Sequence, residues 1–460
     1  MTRALRRTLA AACAAIAALH IYGALVVPVG EYNDDAVNIL LARALRHGAF
    51  SLPDGLGLPA TYPPPGYPLL LAPLAWLAEP HWGALRFFGL AASALLVFAT
   101  WRLARKILSE EWALAAALIV ALNNVFLIYS GAVMPDILYA ACSLLLLSEF
   151  KENEKSPWRL AAAAGLAALL RPHGLILVAS LALALGARRG WRRGVPFALL
   201  ALLPSGLWAA RNYAVARTSS GYLAYWAAMW AQWDFRVQLI HAARVMATYI
   251  GQGLLGLVGL SFGLLLAAAA AASALMVYGA FRSLRKNDDA GLTAAAVYAA
   301  AILLVQMAWK IEVVRYLLPI LPICWIYLLK AVTELSGRRR WPAAGLVLLA
   351  VAAAVRLDVS FLRGKSPEAS WRPATMAWIR ENIPATARLQ AAGEGAVMLL
   401  SGRQALAPFD GIPRAQWPAA ARHYQISYVL LDSPTDNPGP GLVPVYRNDD
   451  EGTLIVRLRP

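Results

Sequence analysis

The sequence predicts a polytopic α-helical membrane protein of about eleven transmembrane helices, with interfacial helices on its outer face and a small C-terminal α/β extracytoplasmic domain. Three observations predict it. Of 460 residues, 60% are hydrophobic and only 15% charged, more apolar material than a water-soluble core uses. Basic residues gather in short clusters between apolar runs, alternating as the positive-inside rule requires. From residue 358 onward charges and prolines spread through the chain and apolar runs shorten, which divides it into 1–357 and 358–460. The net charge of +16 therefore belongs to loops rather than to a folded basic face, which excludes nucleic acid as a partner. Cys13, Cys142 and Cys324 are embedded in apolar sequence without CxxC spacing, and read as small hydrophobes rather than disulfide or zinc ligands.

The first span, MTRALRRTLAAACAAIAALHIYGALVV, starts basic and lacks a clear small-x-small cleavage site. It reads as a retained signal-anchor with its N-terminus in the cytoplasm, which puts loop 29–82 outside. In that loop Val37, Leu40, Leu41, Ala44 and Leu45 recur at helical spacing, predicting a short interfacial helix with Arg43, Arg46 and His47 on or near its polar side. Asp34 and Asp35 fall in its first turn, where the helix dipole favours anions. Carboxylates at a membrane boundary are costly, so the pair is a functional-site candidate. TYPPPGYP follows as a rigid, non-helical turn, and the apolar run from Leu69 to Leu77 is too short to cross a bilayer.

Further spans are expected at Trp82 to Trp101, Trp112 to Tyr129 and Ile137 to Leu147, with SGAVMPD placing Asp136 on the same outer face as Asp34 and Asp35. LAAAAGLAALLRPHGLILVASLALAL reads as a hairpin of two spans whose outer tip is Arg171, Pro172 and His173. Span seven, from Val195 to Ala210, leads outside to Arg211. The next segment carries Trp226, Trp230 and Trp233 and reads as an aromatic interfacial helix. Span eight lies within Thr248 to Phe281, and span nine reaches the outer groups Lys310, Glu312 and Arg315. LLPILPICWIYLLKA and Pro342 to Val355 complete the set. In the C-terminal part RPATMAWIRENIP has helical spacing, while ARLQAAG, AVMLLSG, SYVLLDS, LVPVYRN and TLIVRLRP read as strands.

Basic residues on the outer side run against the positive-inside rule and need another reason. Arg binds phosphate in bidentate fashion and Lys as a point charge. An anionic lipid headgroup at the outer surface accounts for Arg315, Lys310, Arg171 and Arg211, with the acids serving an acceptor as base or orienting groups. Tyr62, Tyr67, His173 and Glu312 are candidate acceptor-contacting or orienting groups.

DDAVNILLARALRHG, TYPPPGYPLLLAPL, VMPD, LLRPHGL, WAARNY and RYLLPILP, in that order, resemble the polyprenyl-phosphate-sugar-dependent glycosyltransferases of the C superfamily. The similarity is to the bacterial branch of aminoarabinose transferases and protein mannosyltransferases, and it covers about residues 8 to 330. The resemblance implies a catalytic or acceptor-orienting role for Asp34, supported by Asp136 and, in the paired motif, Asp35. Where the family often has an aromatic residue four after the first acid, this chain has Asn38. It implies a polyprenyl-phosphate-sugar donor, a lipid, protein or polysaccharide acceptor, and residence in the cytoplasmic (inner) membrane with the C-terminal domain outside. Some members hold a divalent metal near the acids; no His or Glu here falls in a metal-ligand pattern. The alternative is a transporter or flippase of lipid-linked or anionic substrates, which tends to carry internal repeats and midplane charges that this sequence does not display.

Overall fold

Helix α1 (Arg3–Leu25) carries the expected anchor, and residues 26–33 lead from it into α2 (Asp34–Ala44). These coordinates are a computed structural model, which describes residues 3–150, 157–216, 234–286, 289–309, 312–337, 339–367, 370–408, 417–432 and 442–458. Helix α2 is buried from Asp35 to Ala42 except at its ends, so it lies against the protein over most of its circumference rather than floating on an interface. Trp76 of α3 (Gly66–Ala78) donates its indole N–H to the Ala42 carbonyl at 2.9 Å and holds the two together.

Among the described residues five helices are long and apolar enough to cross a bilayer: Trp82–Ala104, Trp191–Val215, Phe262–Lys286, Ala290–Ala308 and Trp341–Leu362. Below, α4 is Arg86–Ala104, α5 Glu110–Ala121, α6 Asn124–Ser130, α7 Pro135–Glu149, α8 Pro157–Ala168, α9 Gly174–Arg189 and α10 Trp191–Ala216. Then follow α11 Phe235–Val245, α12 Phe262–Lys286, α13 Ala290–Ala308, α14 Leu321–Ser336 and α15 Trp341–Leu362. The chain is thus a multi-pass membrane protein. Expected spans at α7, α8, α9 and α14 are helices of 15, 12, 16 and 16 residues, packed within the bundle.

The third expected span is not straight: α5 and α6 meet at an angle of 59°. Asn123 explains the break, since its side chain accepts from Val125 N–H at 3.0 Å, capping α6, and donates to the Gly253 carbonyl at 2.9 Å. The eighth expected span is also divided. A π-helical run, Met246–Leu254, ends before Gly256 in the left-handed region, and the crossing starts only at Phe262. Most of the expected aromatic interfacial helix, 217–233, lies outside the described residues.

Ion pairs join the loops that the basic clusters assign to one side. Lys106 meets Asp289 at 2.9 Å, Arg340 meets Glu111 at 2.9 Å, and Glu334 takes Lys286 and Lys330 at 2.8 Å each. At Gly279 in α12 an added methyl would collide with the Tyr327 carbonyl of α14, so glycine permits that close crossing.

Beyond α15 lie helices α16 (Pro373–Asn382), α17 (Glu394–Ser401) and α18 (Trp417–His423) and a five-stranded sheet. The strands β1 (Arg388–Gln390), β2 (Gln404–Leu406), β3 (Ile426–Leu431), β4 (Leu442–Asn448) and β5 (Thr453–Leu458) lie in the order β2-β1-β3-β5-β4. The first three pair in parallel and the last two join antiparallel. AVMLLSG, expected as a strand, is instead helix α17. It is buried at Gly395 through Leu399, on successive residues, because α2 and the sheet cover it on several sides. Gly402 at φ 72° ends it, and the strand falls to the next residues, Gln404–Leu406.

Candidate active site

Asp34 and Asp35 are consecutive helical residues, so their side chains diverge by about 100°. The structure shows the consequence. Asp34 lines a cleft with Val37, Asn38, Tyr62, Pro63, Pro64, Pro135, Leu170, Arg171 and Pro172. Asp35 is turned inward and 2% exposed, its oxygens accepting the N–H of Gly30 at 2.7 Å and of Ala36 at 2.9 Å. Burial pushes the Asp35 carboxyl up to about 6, against the pull of those two N–H groups. Buried Arg86 lies within electrostatic reach of Asp35.

Arg315, in the turn Val314–Leu317 that follows α13, donates to Asp34 at 2.6 Å. Its second terminal nitrogen contacts the Met134 sulfur at 3.2 Å, a weak acceptor, and its Nε is buried without a hydrogen-bond partner. Although burial works against its charge, the nearby Asp136 and Asp34 carboxylates hold its pKa above the ordinary value. Asp136 opens α7 behind Pro135, and its carboxylate takes a hydrogen bond from Arg171 in a pair whose side chains are 5% and 8% exposed. Two ion pairs therefore each contribute one member to the cleft: Asp34, held by Arg315, and Arg171, which holds Asp136.

The Tyr316 ring lies 5.7 Å from the Arg315 guanidinium and 5.6 Å from that of Arg171. His173 stands 5.3 Å from the same ring, with its Nε2 3.1 Å from the Gln306 amide nitrogen. Burial, then the charge of Arg171, hold His173 down at about 4, so it is neutral at ordinary pH. Tyr62 lines the cleft and is 43% exposed. Tyr67 is buried beneath it, within electrostatic reach of Asp136 and Asp35.

Other expected residues are engaged elsewhere. Arg211 donates to the Ala60 carbonyl at 2.6 Å and stacks on Trp208, bracing the first outer loop. Glu312 pairs with His241 at 3.3 Å. Lys310 lies outside the described residues. Sequence reading did not find Asn33, Met134, Gln306, Tyr316 or Glu394. Asn33 alone carried a signal, as an Asn directly before a predicted helix start; the others are brought in by turns and packing.

Residues 63–208 match the family model described as dolichyl-phosphate-mannose-protein mannosyltransferase. No curated protein matches in sequence. Among solved structures, the archaeal oligosaccharyltransferase AglB from Archaeoglobus fulgidus, in complex with an inhibitory peptide and a dolichol-phosphate, superposes with a TM-score of 0.59 at 14% identity. That match covers 94% of this chain and 70% of AglB. ArnT from Cupriavidus metallidurans, bound to undecaprenyl phosphate, gives 0.58 at 12% identity over 98% of this chain and 97% of ArnT. The chain shares the fold of these two proteins. At these identities the likeness is one of fold, and the site must be argued from its own residues.

Another structure of the Archaeoglobus enzyme, solved with Zn and sulfate, matches at 15% identity and a TM-score of 0.59 over 92% of this chain and 68% of that one. In this chain Asp34 and Asp136 face guanidiniums and Asp35 faces backbone N–H groups, and among the described residues no three His, Cys, Asp or Glu converge on one point. These residues do not fit a metal.

Proposed function

We propose that this chain transfers a sugar from a polyprenyl-phosphate donor to a lipid, protein or polysaccharide acceptor at the outer face of the cytoplasmic membrane. The observation that carries the reading is the ion pair of Arg315 with Asp34, a phosphate-binding cation beside a cleft carboxylate. The family match and the shared fold favour this reading over transport.

In the mechanism Arg315 is the donor phosphate ligand. It offers donors that Met134 satisfies only weakly, and guanidinium suits phosphate oxygens. When phosphate engages Arg315, the Asp34 carboxylate is released from the guanidinium and left free to accept the acceptor's hydrogen bond, so donor binding prepares the site. The acceptor oxygen or nitrogen then attacks the anomeric carbon, its proton passing to Asp34, while the bond from that carbon to the phosphate oxygen breaks. The electron pair leaves on polyprenyl phosphate, whose growing charge Arg315 stabilises. A single displacement inverts the anomeric centre.

Arg171 holds Asp136 in place, and the Asp136 charge helps retain Arg315 in the cleft. Tyr62, on the exposed side, contacts the acceptor. Residues 1–357 form the membrane portion and 358–460 the outer unit, with the N-terminus inside. Purified protein incubated with undecaprenyl-phosphate-linked sugars and envelope acceptors tests the proposal. Acceptor-dependent release of undecaprenyl phosphate supports it, and a donor left intact while the lipid crosses the membrane contradicts it.

A further inference from the structure

The turn that presents Asp34 is shaped by groups from the far end of the sequence. Asn33 precedes α2 with φ 56° and ψ −48°, the centre of a γ-turn closed by the Asp34 N–H on the Tyr32 carbonyl, a conformation rare for a residue with a side chain. Although it occupies the cap position, its side chain gives no hydrogen bond to α2. It reaches instead to α17: its Oδ1 accepts the Gly395 N–H at 2.7 Å, and the Glu394 carboxylate is hydrogen-bonded to the same side chain. The amide of Asn33 thereby caps the start of a helix about 360 residues away in sequence.

Two further contacts close the same turn. Trp371 N–H donates to the Val29 carbonyl at 3.0 Å, within a parallel bridge of Val29 with Ser370. Gly30, whose N–H holds Asp35, has φ 99°, and an added Cβ would come within 3.0 Å of Ala396 and 3.2 Å of Leu400 and Trp371. Gly395 is equally confined, since a Cβ there would stand 2.7 Å from Val37 Cγ2 and 2.8 Å from Asn33 Oδ1. The segment from Val29 to Val37 is therefore gripped by residues between Ser370 and Leu400.

We propose that Asn33 is a positioning residue through which the C-terminal unit sets the placement of Asp34, so that this unit completes the active site. The proposal rests on the reading of Asp34 as the base. An Asn at the centre of a γ-turn, with its side chain turned away from its own helix, is an unusual cap. It is explained if its amide must reach Gly395 and Glu394 while the backbone turns Asp34 toward Arg315.

The test uses the full chain in detergent with three variants. Asn33→Gly keeps the positive-φ turn available but removes the amide; Asn33→Asp keeps an acceptor for the Gly395 N–H; Gly395→Ala pushes from the other side on Asn33 and on the cleft residue Val37. Hydrogen exchange of the peptide covering residues 30–38 is read beside turnover of an undecaprenyl-phosphate-linked sugar. Asn33→Gly and Gly395→Ala are expected to speed exchange in that peptide, leave α4 and α7 unchanged, and lower kcat by roughly ten- to a hundredfold, as small misplacements of a base do. Donor KM is expected to hold within about twofold, and Asn33→Asp, which keeps the Gly395 acceptor but sets a carboxylate against Glu394, to recover only part of kcat. Unchanged exchange at 30–38, or a rise in donor KM with kcat intact, overturns the proposal. Asp34→Asn measured in parallel separates the two claims: if it retains turnover the base assignment fails, and if it alone loses turnover only the role of Asn33 fails.

Discussion

The guanidinium of Arg315 donates to the carboxylate of Asp34 at 2.6 Å, across 281 positions of sequence. A guanidinium held against an acid at a cleft is a group for which an incoming phosphate would compete. Arg315→Ala is therefore expected to weaken donor binding by about 1.5–3 kcal/mol, the cost of a charge-assisted contact, or tenfold and more in affinity. Arg315→Lys recovers only part of it, since the planar fork is lost. Titration of detergent-solubilised protein with undecaprenyl phosphate checks this; an unaltered donor affinity would assign Arg315 another role.

The buried pair of Arg171 and Asp136 carries a different expectation. Removing one partner leaves an uncompensated buried charge, at about 3–5 kcal/mol, whereas replacing both by apolar residues of similar size costs much less. Arg171→Met should lower the thermal stability strongly, and the double change with Asp136→Leu should restore much of it. If the single and double variants melt alike, the pair is not the fixed element described above.

Acidity offers a third check, because two groups at the site oppose each other. Asp35 has its carboxyl raised to about 6, so between pH about 4 and 6 the folded state keeps a proton that the unfolded chain loses. Its stabilising contribution is present at low pH and lost as the pH rises through 6. His173, held down at about 4, stays neutral where the unfolded chain takes up a proton, so its contribution is lost as the pH falls below its ordinary value. On acidification from pH 6 to 4, Asp35→Asn should lose stability relative to the native protein and His173→Gln should gain it. Melting curves across that range decide it, and parallel shifts in both variants would contradict the assignment.

Sidedness gives a fourth. Single cysteines at Ser51 and Asp450 should react with an impermeant maleimide from one side of the membrane, and a cysteine at Glu111, in the loop paired with Arg340, from the other. Labelling that separates Ser51 from Asp450 would overturn the placement of the C-terminal unit.

Much of this was legible in the sequence because membrane folding is written in composition and periodicity. The apolar runs, the basic clusters and the helix starting at Asp34 follow from patterns within a few residues of one another. The outer location of Asp136, Arg171 and Arg315 followed from counting spans, and the structure does bring these three together with Asp34. What could not be read was pairing. Nothing local tells that Arg211 turns to Ala60, that Glu312 meets His241, or that Asn33 reaches Gly395. AVMLLSG failed for the same reason: a short apolar run is ambiguous until its neighbours are known, and here α2 covers a face that a strand would have left to the sheet.

The central claim is that Asp34 is the base, and one substitution addresses it most directly. Asp34→Asn keeps the size of the side chain and its place beside Arg315 while removing charge and basicity. With undecaprenyl-phosphate-linked sugar and acceptor supplied, kcat should fall by roughly 10² to 10⁴ with the fold and donor binding retained, and Asp35→Asn should do far less to kcat. Near-normal turnover of folded Asp34→Asn protein, with a loss of only about 1 kcal/mol in stability as expected for a helix-end residue, would contradict the account.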